Sequence, residues 1–365
     1  PVFRSFQAEL EVVYEEKNMY QDIFFFPLLE KFNKHFFKNH PYGQQTLIGT
    51  SEDLKNPSLT KMYKFFKTYY VPNNIALILT GDFNSENAKQ LIKKTFGKLV
   101  PGKLPEPTIY KEEPFNGREL VEVKMTPIKL GILGFRTPPS GDEDEIPLQI
   151  CNSILSNQNQ TGLLDQLVLD NKIMGAQVFS MPYLDHGSTM FLFIPKIFGQ
   201  KLEEGEAMIL SEIEKLKKGE FDDWMVKAIK YDLYKQYMLS LETAEGKALT
   251  IAELFVQGKS TDWIEKTIKI IENTTKEDII KIANKYYGDN YLAFFSKMGF
   301  PKKDKIEKPG YEPLVANTNA KSSFAKKLEE IKVAPPKEKY IDFDKDAELV
   351  QFEGIDIYLT NNPHN

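Results

Sequence analysis

The chain is predicted to be an α+β protein with two homologous domains, each a mostly antiparallel sheet with helices packed on one face. Three observations predict this class. Strand-like segments occur in adjacent pairs and helical segments follow one another, as in α+β folds. A length of 365 residues exceeds what one compact core usually holds. A stretch that begins at Asn56 recurs at Asn273, which favours two copies of one domain type.

The composition is that of an ordinary folded protein, with 41% hydrophobic and 27% charged residues. With 47 Lys and Arg against 52 Asp and Glu, the net charge of −5 argues against a nucleic-acid partner. The sequence contains no run of about 20 apolar residues, so no membrane span is predicted. A single cysteine, Cys151, excludes a disulfide framework and leaves the compartment undecided.

The first hundred residues are predicted to contain helices around one strand. Residues 5–38 have apolar residues at helical spacing, and Pro27 predicts a kink or two helices. Ser58 is a suitable N-cap for the next helix. The apolar run at 75–81 is typical of a buried strand, and residues 84–97 form an amphipathic helix.

The rest of the chain is predicted to hold one nearly whole domain between linkers. Its predicted strands are 119–125, 129–136, 174–182, 188–196 and 291–296. Its predicted helices are 143–156, 161–170, 201–218, 221–240, 242–258, 261–272 and 275–287.

The domain boundaries follow from these patterns. They are 1–99 for the first domain, 100–117 for a linker, 118–298 for the second domain, 299–340 for a linker or hinge, and 341–365 for a hairpin that opens a further domain. A plain solvated tail is the alternative for the last two segments.

The internal repeat decides the architecture. Residues 56–79 and 273–296 align without a gap, and each has a hydroxyl N-cap, a helix that ends in Tyr-Tyr, a turn and an apolar strand. Helix–turn–strand units are common, so a chance likeness is the alternative. If the repeat reflects two copies of one domain, the second copy is nearly whole, and the first lacks something like 80–100 residues at its front.

The first predicted helix carries a group of acidic residues. Glu9 and Glu16 lie seven positions apart, which is two helical turns, so they share a helix face. One interpretation is a solvated acidic helix start that is favoured by the helix dipole. The other is a metal-binding carboxylate supported by a second carboxylate that holds a neighbouring ligand.

Three blocks of this sequence resemble the pitrilysin/insulinase family of zinc metallopeptidases, the inverzincins, in the family's order and spacing. They are ELEVVYEEKNMYQD at 9–22, HPYGQQTLIGTSEDL at 40–54 and FFKTYYVPNNIALILTGDF at 65–83. Residues 118–298 are similar to the family's second, homologous domain. The resemblance therefore covers most of residues 1–300 and implies two related α+β domains and zinc-dependent peptide hydrolysis.

The resemblance implies that Glu16 is the distal zinc ligand and that Glu9 supports the site without touching the metal. The family's His-x-x-Glu-His motif, which supplies two zinc ligands and the general base, normally precedes this point by about 70 residues. The motif does not occur in this chain. We therefore expect no catalytic residue here, and zinc in the intact protein but none on this chain.

The four histidines do not replace that motif. His35 and His40 are five positions apart, whereas two ligands on one helix face need a spacing of four. His35 is expected on a helix surface, His40 in a loop with a structural role, and His186 in a hairpin turn. His364 lies near the end of the chain.

Two functions follow as hypotheses. The first is a fragment of a zinc endopeptidase that degrades or processes unfolded peptides, inert by itself and completed by the rest of the same polypeptide or by a partner subunit. The second is a non-catalytic scaffold or partner subunit of the same family. An intact His-x-x-Glu-His motif about 70 residues before Glu16 would favour the first hypothesis.

Overall fold

The computed structural model describes residues 6–301, 320–335, 340 and 342–360. The chain divides into a large unit, Pro1–Tyr311, and a small unit, Glu312–Asn365. Within the described residues, no helix has both the length and the hydrophobicity needed to cross a bilayer.

The large unit is built on one five-stranded sheet. Its strands, in spatial order, are β1 (Arg118–Thr126), β5 (Tyr291–Met298), β2 (Leu130–Thr137), β4 (Gly187–Ile194) and β3 (Gly175–Pro182). The pair β1 and β5 is parallel, and the other three pairs are antiparallel. The predicted α+β class with a mostly antiparallel sheet is confirmed.

Both faces of the central strands β2, β4 and β5 are largely buried, because alternate side chains enter two separate cores. In β2, Leu133 and Phe135 enter the larger core, whereas Ile132 enters the smaller one. In β5, Phe295 enters the larger core and Phe294 the smaller one. Central strands that are covered on both faces are continuously hydrophobic, and this explains their readily recognised sequences.

Helices from the second half of the large unit cover the larger core. Three of them that bury several side chains in this core are α7 (Glu145–Leu155), α9 (Leu202–Lys218) and α13 (Lys276–Tyr286). The remaining helices of this part are α8 (Leu163–Leu169), α10 (Asp223–Ser240), α11 (Ala244–Val256) and α12 (Trp263–Asn273). Each lies within a few residues of its predicted range.

A helix from the first hundred residues covers the other face of the same sheet. The chain begins with α1 (Phe6–Asp22), α2 (Phe25–Phe36), α3 (Pro41–Gln44) and α4 (Ser51–Lys55). Of these, α2 buries Leu28, Phe32 and Phe36 in the smaller core, against Ile132 and Phe294. The sheet of the second predicted domain is therefore packed against a segment of the first.

The prediction of a strand at 75–81 was wrong for the described structure, in which these residues pair with no other strand. The neighbouring helices α5 (Leu59–Tyr69) and α6 (Ser85–Phe96) form as predicted and are capped by Ser58 and Asn84. The backbone at Ile75 is extended. A strand needs hydrogen-bonding neighbours, and the described residues provide none at this segment.

The small unit contains the predicted hairpin, formed by β6 (Glu348–Phe352) and β7 (Ile355–Leu359). Glu353 and Gly354 both have positive φ, the conformation of a tight two-residue hairpin turn. Two short helices precede the hairpin, α14 (Ser323–Glu329) and α15 (Phe343–Asp346). Of the predicted linker 299–340, residues 302–319 and 336–339 lie outside the described residues.

The contact between α2 and the sheet predicts opposite effects for two glycine substitutions. At Gly134 in β2, an added Cβ would lie 2.5 Å from the Phe32 ring. Gly134→Ala is therefore expected to lower the free energy of unfolding by about 1–3 kcal/mol through overpacking. At Gly175 in β3, the nearest atom to an added Cβ is 3.6 Å away. Gly175→Ala should be neutral or slightly stabilising. Urea denaturation measures both, and equal effects would contradict the described packing of α2.

Candidate functional site

Two hydrogen bonds and a small apolar cluster position helix α1. The Tyr14 hydroxyl is buried and donates to the carbonyl of Leu54 at 2.9 Å. The Lys17 ammonium donates to the carbonyl of Gly49 at 2.7 Å. Tyr14 and Leu54 form a buried pair with Leu10 packed against it. This inner face of α1 fixes the direction in which the opposite face points.

The two predicted site residues lie on the opposite, outer face of α1. Glu9 and Glu16 are both exposed. Val12 and Met19 continue the same stripe at i, i+3, i+7 and i+10, and are 61% and 67% exposed. The outward face of α1 therefore alternates acidic and apolar side chains. Val12 and Met19, the apolar neighbours of Glu16 on this face, are exposed and could pack against another protein surface.

Neither Glu9 nor Glu16 belongs to a cluster that could hold a metal ion within the described residues. A zinc site needs at least three protein ligands, and α1 offers exposed carboxylates without a histidine beside them.

The second copy of the repeat is built into the sheet, whereas the first copy is uncovered. Tyr287 is 1% exposed, and its counterpart Tyr70 is 60% exposed. Leu292 and Phe294 in β5 are buried, while their counterparts Ile75 and Leu77 are 52% and 51% exposed. Large apolar side chains are exposed throughout this region, namely Leu59, Met62, Tyr63, Phe65, Tyr69, Tyr70, Ile75, Leu77, Leu79 and Phe83. Large apolar side chains exposed in this number are typical of an interaction site.

A buried carboxylate organises the turn between α2 and α3. Glu112 accepts hydrogen bonds from the backbone N–H groups of Lys38, Asn39 and His40 at 2.6–3.0 Å, and from Arg136 at 3.0 Å. Burial alone would raise the pKa of Glu112, but the hydrogen bonds from Asn39 and His40 and the charge of Arg136 outweigh it and lower the pKa below its ordinary value. This turn fixes the position of His40.

His40 contacts the loop between β3 and β4, which holds Asp185 and His186. The Nε2 atom of His40 lies 2.9 Å from Oδ2 of Asp185. The ligand atoms that His40, Asp185 and His186 offer all lie within 4.8 Å of one another. Sequence reasoning missed this cluster because His40 and Asp185 are 145 positions apart and neither belongs to a local metal-binding motif.

His35 lies apart from this cluster, on α2, and its pKa is lowered by burial and by three nearby lysines. His364 lies outside the described residues.

Comparison with known proteins identifies the type of protein to which these features belong. The family model for the peptidase M16 inactive domain matches residues 58–233. Zinc protease PqqE of Helicobacter pylori is 28% identical over 296 residues, which cover 78% of this chain and 65% of the relative. The chain is therefore similar to peptidases of the M16 family. The pitrilysin/insulinase resemblance of the sequence is thereby confirmed, and the Helicobacter pylori relative is named as a zinc protease.

One of the other relatives is named as inactive. Probable inactive metalloprotease YmfF of Bacillus subtilis is 22% identical, and the match covers 77% of this chain and 64% of the relative. The crystal structure of a protease from Helicobacter pylori has a TM-score of 0.72 and 26% identity, covering 80% of this chain and 72% of that one. The chain thus spans slightly less than two thirds of the length of both curated relatives.

The Glu112 turn predicts a loss of stability that depends on pH. Glu112 is 2% exposed at its side chain, so Glu112→Gln should lower the free energy of unfolding by about 2–3 kcal/mol at pH 7. Because the folded pKa is depressed, the carboxylate stabilises above its unfolded pKa of about 4.3, and this contribution is lost as the pH falls. The difference between the variant and the parent should therefore shrink below pH 4.

The matched control is Glu119→Gln. Glu119 pairs with Lys38 at 2.6 Å, but its side chain is 32% exposed. A largely solvated pair contributes less than about 1 kcal/mol. Denaturation at pH 7 and pH 3.5 compares the two variants. A Glu112→Gln protein as stable as the Glu119→Gln protein at pH 7 would contradict the assigned role of Glu112.

Proposed function

We propose that this chain is the part of an M16 zinc peptidase that provides the non-catalytic domain and one zinc ligand, Glu16. In this proposal, the two histidine ligands and the general base come from a segment that the described residues do not contain. That segment belongs to the same polypeptide or to a partner subunit. The observation that carries the proposal is the contrast between the two copies of the repeat. The first copy exposes its apolar side chains, whereas the strand of the second copy lies inside a five-stranded sheet.

The second copy supports a specific arrangement for the missing contacts. Strand β5 lies between β1 and β2 and is hydrogen-bonded on both edges. The equivalent residues 75–81 have the same apolar pattern. Two further strands would hydrogen-bond both edges of residues 75–81, and an element packed on their face would bury Ile75 and Leu77 as α2 buries Leu292 and Phe294. A complete first domain is therefore expected to supply both.

The outer face of α1 supports the assignment of Glu16. Val12 and Met19 would be buried by a docking helix, and Glu16 lies between them on the same stripe. Glu9 lies one heptad earlier, where a carboxylate can orient a neighbouring histidine through its free ring nitrogen. By itself, this chain is proposed to hold no zinc at Glu16 and to cleave no peptide, because one carboxylate is an insufficient ligand set.

The proposed substrates are unfolded peptides. The proposal extends to this chain the proteolytic activity named in the Helicobacter pylori relative. When bound, zinc would polarise a water molecule for attack on the peptide bond. The contribution of this chain is the folded second domain, which contains the larger core. Helix α2 packs on the sheet of that domain, and α1 precedes α2 in the chain.

A scaffold without catalysis is the second candidate. The observation that favours it is the match to an inactive-domain model together with a relative named as probably inactive. The two candidates differ in one testable property of the full-length protein. The peptidase carries a His-x-x-Glu-His motif about 70 residues before Glu16, and the scaffold lacks one or more of these residues.

The uncovered repeat predicts a contrast in hydrogen exchange. In this chain, the amides of residues 75–81 should exchange at least roughly a thousand-fold faster than those of Leu292–Phe295, because only the latter are in a buried ladder. In the full-length protein, both segments should be protected. Mass-spectrometric hydrogen exchange of both proteins measures this. Fast exchange at 75–81 in the full-length protein would contradict the proposed completion of the sheet.

The assignment of Glu16 predicts a loss of metal. In the full-length protein, Glu16→Gln should reduce bound zinc below stoichiometric amounts and abolish peptide cleavage, because a ligand is lost. Glu9→Gln should lower metal affinity or activity by about 10–100-fold, as expected for a supporting carboxylate. Metal analysis and a peptide-cleavage assay measure both effects.

The control for both variants is Glu15→Gln, at an exposed acid next to Glu16. It should retain zinc and activity. If Glu16→Gln behaves like Glu15→Gln, Glu16 is not a ligand. The hydrogen-exchange result then decides separately whether the domain is completed as proposed.

A further inference from the structure

A second metal site is suggested by a cluster that the proposed peptidase site does not use. His40 comes from the turn before α3, and Asp185 and His186 come from the turn between β3 and β4. Their ligand atoms lie within 4.8 Å of one another, and no other three-donor group of His, Cys, Asp and Glu occurs among the described residues. The side chain of His40 is 5% exposed and that of Asp185 is 45% exposed, so the cluster is buried on one side and open on the other.

The donor set is one that divalent transition metals use. Two imidazoles and one carboxylate form three-ligand zinc sites, which leave a fourth position for water. Ligand atoms at zinc bond lengths of 2.0–2.2 Å lie roughly 3.3 Å apart in a tetrahedral arrangement. The Nε2 atom of His40 and the Oδ2 atom of Asp185 are 2.9 Å apart. Small side-chain rotations are therefore enough to admit an ion.

The surrounding groups orient two of the three ligands. The Nε2 atom of His186 lies 3.0 Å from the carbonyl oxygen of Tyr110. A hydrogen bond from Nε2–H to that carbonyl leaves the other ring nitrogen with its lone pair, as in metal-bound histidines generally. The Tyr42 hydroxyl donates a hydrogen bond to the Asp185 carboxylate.

His40 has to exchange one hydrogen bond for the ion. Its Nδ1 accepts the backbone N–H of Tyr42 at 3.1 Å, so Nε2 carries the proton and faces Asp185. When a metal binds at Nε2, that proton has to move to Nδ1, and the bond from Tyr42 is given up. The loss of such a cap weakens binding by roughly five-fold. This is small compared with the contribution of an added imidazole ligand.

We propose that His40, Asp185 and His186 bind one divalent transition-metal ion at a site distinct from the one assigned to Glu16. The ion would join the α2–α3 turn to the β3–β4 turn, two segments of the large unit that are far apart in sequence. This proposal does not rest on the proposed function. It differs from the sequence-based expectation that this chain binds no zinc.

The test uses the full 365-residue chain, stripped with a chelator and titrated with Zn²⁺ in a calorimeter. We expect one equivalent to bind with a dissociation constant of about 1 μM or lower, and to raise the melting temperature. Asp185→Asn keeps an oxygen that can accept from His40, and His186→Gln removes the more exposed histidine. Each should weaken zinc binding at least ten-fold while circular dichroism shows a folded chain. Co²⁺ substitution should give visible absorption bands that both variants lose.

Two controls distinguish this site from others. His35→Gln changes a histidine outside the cluster, and Glu16→Gln changes the carboxylate of the proposed peptidase site. Both should bind zinc as the parent does. The proposal is overturned if the parent binds no stoichiometric zinc, if Asp185→Asn and His186→Gln bind it unchanged, or if Glu16→Gln alone loses it. If either cluster variant fails to fold, the Co²⁺ spectrum of the other variant decides.

Discussion

Backbone hydrogen bonding on both edges of a central strand is the constraint on which the rest of this structure depends. An extended segment of apolar residues is stable in a sheet only when its N–H and C=O groups find partners on both sides. Strand β5 meets this requirement between β1 and β2. Residues 75–81 have nearly the same sequence pattern and do not meet it within the described residues. The two copies of one motif therefore differ in burial because of their partners, and their local sequence does not explain the difference.

A second constraint, the burial of apolar side chains on both faces of the sheet, explains why helix α2 lies where it does. The five-stranded sheet has apolar side chains on both faces, and α7, α9 and α13 cover only one of them. The other face would be exposed without α2, whose Phe32 and Phe36 pack on it with ring centroids 5.2 Å apart. Burial of aromatic rings is among the largest favourable contributions available to a domain. The two predicted domains are thus coupled through α2, and Arg136 strengthens the coupling by bonding to the carbonyl of Phe36.

Local patterns were enough to predict most elements, because helices and strands of residues 118–298 depend on short-range periodicity and on caps such as Thr275. Non-local pairing was not predictable in the same way. The apolar run at 75–81 favours a strand in isolation, yet its pairing depends on other segments. The amphipathic pattern of α2 predicts that one helix face is buried, but it does not predict which sheet packs against that face. For the same reason, the contact between His40 and Asp185 could not be predicted, since each residue lies in a polar turn of ordinary composition.

The unequal completeness of the two copies also suggests how α1 could be prepared for its proposed role. The larger core is closed by segments of residues 118–298 alone, so the second copy does not depend on what covers the first. Helix α2 is held on that folded sheet, and α1 is held by Tyr14 and Lys17 against residues 49–54. The stripe with Glu9 and Glu16 is therefore presented on an ordered helix before any further segment docks. A ligand carboxylate positioned in advance loses less conformational entropy on metal binding than one on a mobile segment. This favours a division of roles in which the complete copy provides rigidity and the incomplete copy provides the surface for assembly.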